Sequence, residues 1–187
     1  MAEYTNPAAF EKAKKAYENV QLFLNGTVDA YLEDTGDTDF KRDVFLRQYD
    51  YALQCMLFAV VLGDGVAHPE ELQAIKEIAQ NGDLMEMISN DRVQWTWDEH
   101  GEASPYLVAK FQMKLEDQLE DIIDNFSQLI VISAGRTDGK AYIDTLLDLT
   151  TRIAENIAAV DGELDENEKD LINLKINDIF LESFRRI

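Results

Sequence analysis

The chain has 187 residues, of which 46% are hydrophobic, so it is long enough and apolar enough to bury a core. It carries 17 Lys and Arg residues against 37 Asp and Glu residues, a formal net charge of −20 at pH 7. A surface this acidic repels nucleic acids and anionic membranes and attracts divalent cations and basic proteins. We therefore expect a protein partner, no nucleic acid and no membrane insertion, although solubility alone would also explain the charge.

The single cysteine, Cys55, rules out an internal disulfide and favours a reducing compartment. It lies in an apolar run and is expected to be a small buried residue, because a reactive thiol needs an electropositive setting. The N-terminus leads into a charged segment, and no apolar run reaches the ~20 residues that span a bilayer. These features predict a cytoplasmic protein.

Helix signals follow one another along the chain. The first helix is predicted to begin at Asn6-Pro7 and to stop at Asn25-Gly26. The acidic residues 33–39 are predicted to form a loop in which Asp39 caps the next helix. Further helices are predicted over about 40–62, from Pro69 to Asn81-Gly82, from Ser104-Pro105 to about 134, over about 140–160 and over about 166–184. We expect an all-α fold, a compact bundle of six or so helices.

Two parts of this bundle are distinguished. Residues 1–36 are predicted to form an N-terminal helical extension packed on it, and residues 37–187 to form a duplicated helical domain within one globular unit. Residues 91–103 are predicted to be an ordered loop that contains Trp95 and Trp97. Aromatic residues in a polar loop are favoured at protein interfaces, so these two tryptophans are candidates for partner binding. Covering the core from a long loop is the alternative role.

An internal repeat is the most informative feature of the sequence. Each copy has an apolar helix, an Asp-Gly turn, a Glu seven positions after the Asp and an Ile eleven positions after it. The members are Asp64, Gly65, Glu71 and Ile75 in the first copy and Asp161, Gly162, Glu168 and Ile172 in the second. The fold is therefore predicted to contain two helix–Asp-Gly–helix units, related by a near-twofold rotation.

Two interpretations of this motif compete with a binding site. The second copy matches the later positions of an EF-hand calcium loop, but the first positions fall on the apolar Ile157 and Ala159, so the motif is not an EF-hand. Helix punctuation is the stronger alternative. Gly162 can supply the left-handed residue that ends a helix, and Asp165 followed by Glu168 has capping-box spacing.

His68-Pro69-Glu70-Glu71 likewise places Pro in the first turn of a helix and Glu at its third position. Punctuation does not explain the Asp before each Gly, because a carboxylate near the negative end of a helix dipole is unfavourable by about 0.5 kcal/mol. That placement leaves room for a bound cation or a hydrogen-bond partner.

An apolar helix, Asp-Gly and a Glu at plus seven in two copies resembles the TerB-like group of tellurite-resistance and stress-response proteins. The resemblance is clearest over residues 140–176, weaker over 40–80, and absent from the first 35 residues and the tryptophan loop. It implies a compact duplicated bundle, a place in a stress-response system, and clustered acidic residues that bind divalent metal. The extra N-terminal helix suggests a divergent member of the group that works beside a larger partner such as an ATPase. The first copy departs from the pattern at Ala67 and at His68, which stands where Asp165 does.

The metal ligands that we expect are all carboxylates, which suit Ca²⁺, Mg²⁺ or Mn²⁺ better than Zn²⁺. No nucleophile–base pair, phosphate loop or Cys-x-x-Cys motif is visible, so no enzymatic activity is expected. Two functions remain open, a cation-binding domain of a stress-response system and a metal-free module that recruits a basic partner or an ATPase. The predicted ligands are Asp64, Glu71, Asp161, Asp165 and Glu168. Because both copies carry a carboxylate at the turn and another seven positions later, Asp64, Glu71, Asp161 and Glu168 are expected to converge on one shared acidic cleft.

Overall fold

The computed structural model describes residues 4–61, 68–78, 109, 113, 119–134, 139–162, 164 and 166–186. Within these ranges every regular element is a helix and none is a strand, so the predicted all-α fold is confirmed. The helices are α1 (Pro7–Thr35), α2 (Arg42–Val61), α3 (Pro69–Ile78), α4 (Leu119–Ala134), α5 (Gly139–Ala158) and α6 (Glu166–Arg185).

Helix α1 begins where the sequence predicts and ends later. The side chain of Asn6 accepts a hydrogen bond from the backbone N–H of Ala9 at 3.2 Å, and Pro7 is the first helical residue. The predicted stop at Asn25-Gly26 is wrong, because the helix continues to Thr35. It ends at Gly36, which has a φ of 63° and donates its N–H to Leu32.

Burial beyond the predicted stop explains this difference. A glycine inside a helix costs about 1 kcal/mol relative to alanine. Thr27 and Val28 follow Gly26 directly and are 1% and 0% exposed, so their packing offsets that cost. The side chain of Asn25 donates to the backbone oxygen of Gln21 in the preceding turn instead of ending the helix.

The connection to α2 also differs from its prediction. Glu33 and Asp34 belong to α1 rather than to a loop, and α2 begins at Arg42. Asp39 is therefore too far from α2 to cap it. The side chain of Asp37 accepts from the backbone N–H groups of Asp39 and Phe40, at 3.0 and 3.2 Å, and orders this short connection.

One contiguous core joins the helices. Helix α1 packs most extensively against α5 and contributes Val20, Leu24 and Val28 to this core. Helix α2 contacts α4, α5 and α6. Phe126 of α4 lies between Tyr49 of α2, in a tilted contact, and Phe180 of α6, in an edge-to-face contact, with ring centroids about 5 Å apart.

Several predicted features lie outside the described residues, namely Asp64, Gly65, Asp165, both tryptophans of the 91–103 loop, and the helix start at Ser104-Pro105. Ala109 and Met113 are helical. In the part of the chain that the structure describes, no helix combines the length and hydropathy needed to cross a membrane.

Candidate functional site

The second Asp-Gly turn follows α5 directly. The backbone N–H of Val160 donates to Ile157 at 3.1 Å and that of Gly162 donates to Ala159 at 3.4 Å, so the chain leaves the helix in tight turns. The side chain of Asp161 is 26% exposed. The left-handed conformation predicted for Gly162 is not found, because Gly36 is the only glycine with a positive φ in the described ranges.

The start of α3 has the predicted capping arrangement. The backbone N–H of His68 donates to the side chain of Glu71 at 3.0 Å, and the carbonyl of His68 accepts from the N–H of Leu72 at 3.2 Å. Glu71 is only 2% exposed, which strengthens a hydrogen bond to a carboxylate. One predicted metal ligand therefore serves helix capping.

His68 also joins the two repeated units. Its Nε2 atom lies 3.4 Å from a carboxylate oxygen of Asp161, with 35% of the His68 side chain exposed. The two residues are far apart in the sequence, so only the fold brings the start of α3 to the end of α5. When the imidazole is protonated, this contact becomes an ion pair between the units.

The segment before α1 contacts both units. The backbone N–H of Asn6 donates to Val160 at 2.8 Å, and its side-chain amide donates to the carbonyl of Gly162 at 3.2 Å. The N–H and the hydroxyl of Thr5 donate to the carboxylate of Glu70 in α3, at 2.7 and 2.9 Å. We call the set Thr5, Asn6, His68, Glu70, Glu71, Asp161 and Gly162 the turn junction.

The predicted ligands are only partly brought together. Asp161 and Glu71 both contact His68, one through its imidazole and the other through its backbone N–H. Glu168 is half-buried in the first turn of α6. No group of three or more His, Cys, Asp and Glu side chains suited to hold a metal ion occurs within the described ranges, and Asp64 and Asp165 fall outside them.

These side chains are a partial fit to a hard cation. The carboxylates supply the oxygen donors that Ca²⁺, Mg²⁺ and Mn²⁺ prefer, and a carboxylate can accept about four hydrogen bonds or metal contacts, of which the His68 N–H occupies one on Glu71. Asp161 and His68 together offer too few donors for a complete coordination shell. Among the described residues, Glu168 would have to supply further ligand oxygens, with water completing the shell.

The structure confirms the prediction that Cys55 is a small buried residue. Cys55 is 0% exposed in α2, and burial raises the pKa of its thiol to about 11. The thiol is therefore protonated at neutral pH and is a poor nucleophile.

A second polar cluster, between α1 and α2, was missed by the sequence analysis. The Asp50 carboxylate accepts from the hydroxyl of Tyr17, from Gln21 at 2.7 Å and from the fully buried Gln54 at 2.8 Å. Burial, followed by the Asp50 charge, raises the pKa of Tyr17, so the phenol stays a donor. The available signal was the spacing of the polar residues 50 and 54 within the otherwise apolar second part of α2, residues 49–61.

Comparison with known proteins identifies no relative of this chain: no family model, no curated protein and no solved structure matches it.

Proposed function

We propose that this chain is a non-enzymatic acidic domain of a stress-response assembly, similar to TerB-like proteins, and that it binds a divalent cation beside the turn junction. The contact between His68 Nε2 and Asp161 at 3.4 Å carries the proposal, because it supports the proximity of the two units that a shared site requires. The net charge of −20 favours a cation as ligand.

Asp161 and Glu168 are the described residues that would hold the cation. Both belong to the second copy of the repeat, whose sequence resembles TerB-like proteins most clearly. Glu71 is less suited to a direct role, since its carboxylate is 2% exposed and already caps α3. A bound cation would also offset the unfavourable position of Asp161 near the C-terminal end of α5.

Calorimetry tests this proposal with CaCl2, MgCl2 and MnCl2 added separately to the full chain. We expect saturable heat for at least one cation, and about tenfold weaker binding or more for Asp161→Asn and for Glu168→Gln. The matched control is Asp144→Asn, which removes the same charge from an exposed position near the opposite end of α5. Equal heats in all variants would indicate diffuse attraction to the acidic surface and would contradict the proposal, as would no heat with any cation.

A metal-free module that recruits a basic partner or a larger ATPase is the second candidate. It is favoured by the internal contacts of the carboxylates, because Glu71 accepts from the His68 backbone and Asp161 contacts the His68 imidazole. Both acidic residues then stabilise the junction and need no cation. The calorimetry above discriminates between the two functions, since only the cation-binding domain loses heat with Asp161→Asn.

A further inference from the structure

Helix α6 carries apolar residues both on the side that faces the core and on the side that faces the solvent. Ile172, Ile176 and Phe180 point into the core and are at most 3% exposed. Leu174 and Leu181 on the opposite side, and Phe184 between the two sides, are 59%, 50% and 47% exposed. Their spacings of seven and three residues place them on one stripe of the helix, about 15 Å long. We call these three residues the α6 stripe.

Several apolar residues aligned on one exposed helix face have a different meaning from a single exposed apolar residue. Single exposed apolar residues, such as Leu22 on α1 at 73% exposure, are normal on soluble proteins. Three large apolar side chains aligned on one exposed helix face are characteristic of an interaction surface. The position on a helix suits a helical partner, whose own apolar residues at spacings of three, four and seven would pack against the stripe.

The charges around the stripe indicate the chemistry of that partner. Asp170 and Asp178 are exposed one turn before and one turn after Leu174. The arginines at the end of the helix are already held by acids, Arg185 by Glu182 at 2.9 Å and Arg186 by Asp124 at 2.6 Å. Lys169 and Lys175 also lie on α6, so the negative charge that attracts a basic helix comes from Asp170 and Asp178 beside Leu174 and from the net charge of −20 on the chain as a whole.

The same negative charge disfavours the two other occupants of an apolar surface. A second copy of this chain also carries a net charge of −20, so like charges oppose self-association through this face. An anionic membrane is repelled for the same reason. We propose that the α6 stripe docks an amphipathic helix of a partner protein in which Lys or Arg residues flank an apolar stripe. This inference rests on no bound cation.

Peptide binding to the full chain tests the inference. The probe is a fluorescent amphipathic peptide of about 18 residues, with Leu along one face and Lys on its flanks, and its control is a peptide of the same composition in scrambled order. We expect saturable anisotropy at about 0.15 M NaCl with EDTA present, and at least about tenfold weaker binding of the scrambled peptide.

Three variants locate the binding face. The double variant Leu174→Ser, Leu181→Ser should weaken binding at least about tenfold, because it removes two apolar contacts. The double variant Asp170→Lys, Asp178→Lys keeps the stripe and should weaken binding several-fold through charge repulsion, about as much as added salt does. The control Leu22→Ser changes an equally apolar surface residue outside α6 and should leave binding unchanged.

Any one of three other results would contradict the inference. Equal binding of the two peptides would mean that charge alone attracts them. Wild-type dimers in sedimentation that become monomers in the serine variant would identify a second copy as the occupant. A fall in Tm of more than about 4 °C in the serine variant would show that the stripe is covered by its own chain. The EDTA in the assay separates these results from failure of the cation proposal.

Discussion

Helices α2 and α5 are the first helices of the two repeated units, and they lie in different surroundings. The residues of α2 from Ala52 to Phe58 are all buried, so these two turns of the helix are enclosed on every side. In α5, Ile153 and Ile157 are buried, but Arg152 is exposed and pairs with Asp148 at 3.0 Å. Cys55 and Arg152, one buried and one exposed, occupy the same position of the repeat, nine residues before the Asp.

The positions that the two units share face the core in both. Leu57 and Ala154, Val60 and Ile157, and Ile75 and Ile172 are pairs at the same distance from the Asp of each turn, and none of these residues exceeds 2% exposure. The polar positions differ, since Glu71 is buried whereas Glu168 is only half-buried. The comparison shows that corresponding apolar positions of the two copies are buried alike, whereas corresponding polar positions differ in exposure.

The largest expected effect is the loss of stability when either isoleucine at the common position of the two units is truncated. We expect Ile75→Ala and Ile172→Ala each to lower the free energy of unfolding by about 3 kcal/mol, because both are buried and each leaves a cavity. Urea denaturation measures both losses, with the exposed Leu174→Ala as control at under about 0.5 kcal/mol. A loss below about 1 kcal/mol for either isoleucine would break the comparison.

Unlike the two isoleucines, the carboxylates Glu71 and Glu168 should contribute unequally to the free energy of unfolding. Glu71→Ala leaves the His68 N–H without its acceptor and should cost about 1.5 kcal/mol, whereas Glu168→Ala in a more exposed setting should cost less. The two variants are compared by urea denaturation with EDTA present, so that no cation contributes. Equal losses would mean that the two carboxylates support their helices alike and that the difference in burial has no energetic consequence.

The smallest effect concerns the buried thiol of α2. The raised pKa of Cys55, about 11 against the ordinary 9.0, keeps the proton on the folded chain while the unfolded chain loses it. Stability from this group is complete below pH 9 and falls as the pH rises toward 11, by about 1 kcal/mol between pH 9 and pH 10. The measurement is the difference in pH dependence between the wild type and Cys55→Ala. Parallel curves for the two proteins would contradict the burial of the Cys55 thiol within α2.

Local signals account for the correct predictions. Asn6 and Glu71 each accept a hydrogen bond from a backbone N–H within three residues, so the cap is encoded in a few adjacent positions. The burial of Cys55 follows in the same way from its apolar neighbours. The wrong helix end at Gly26 has a different origin, since Gly26 and Gly36 are comparable local stop signals and the choice between them depends on what Val28 packs against.

The sequence by itself therefore determined the all-helical class, most helix starts and the repeated pattern of apolar positions, because each depends on interactions within one or two helical turns. Only the tertiary structure decided that His68 meets Asp161, that Asn6 holds the second turn, and that Asp50 gathers three donors between α1 and α2. Except for the hydrogen bond between Asp50 and Gln54, which lie in the same helix, these contacts join residues that are 29 to 156 positions apart in the sequence. Such pairs leave no periodic trace in the sequence, so packing of the whole chain selects them.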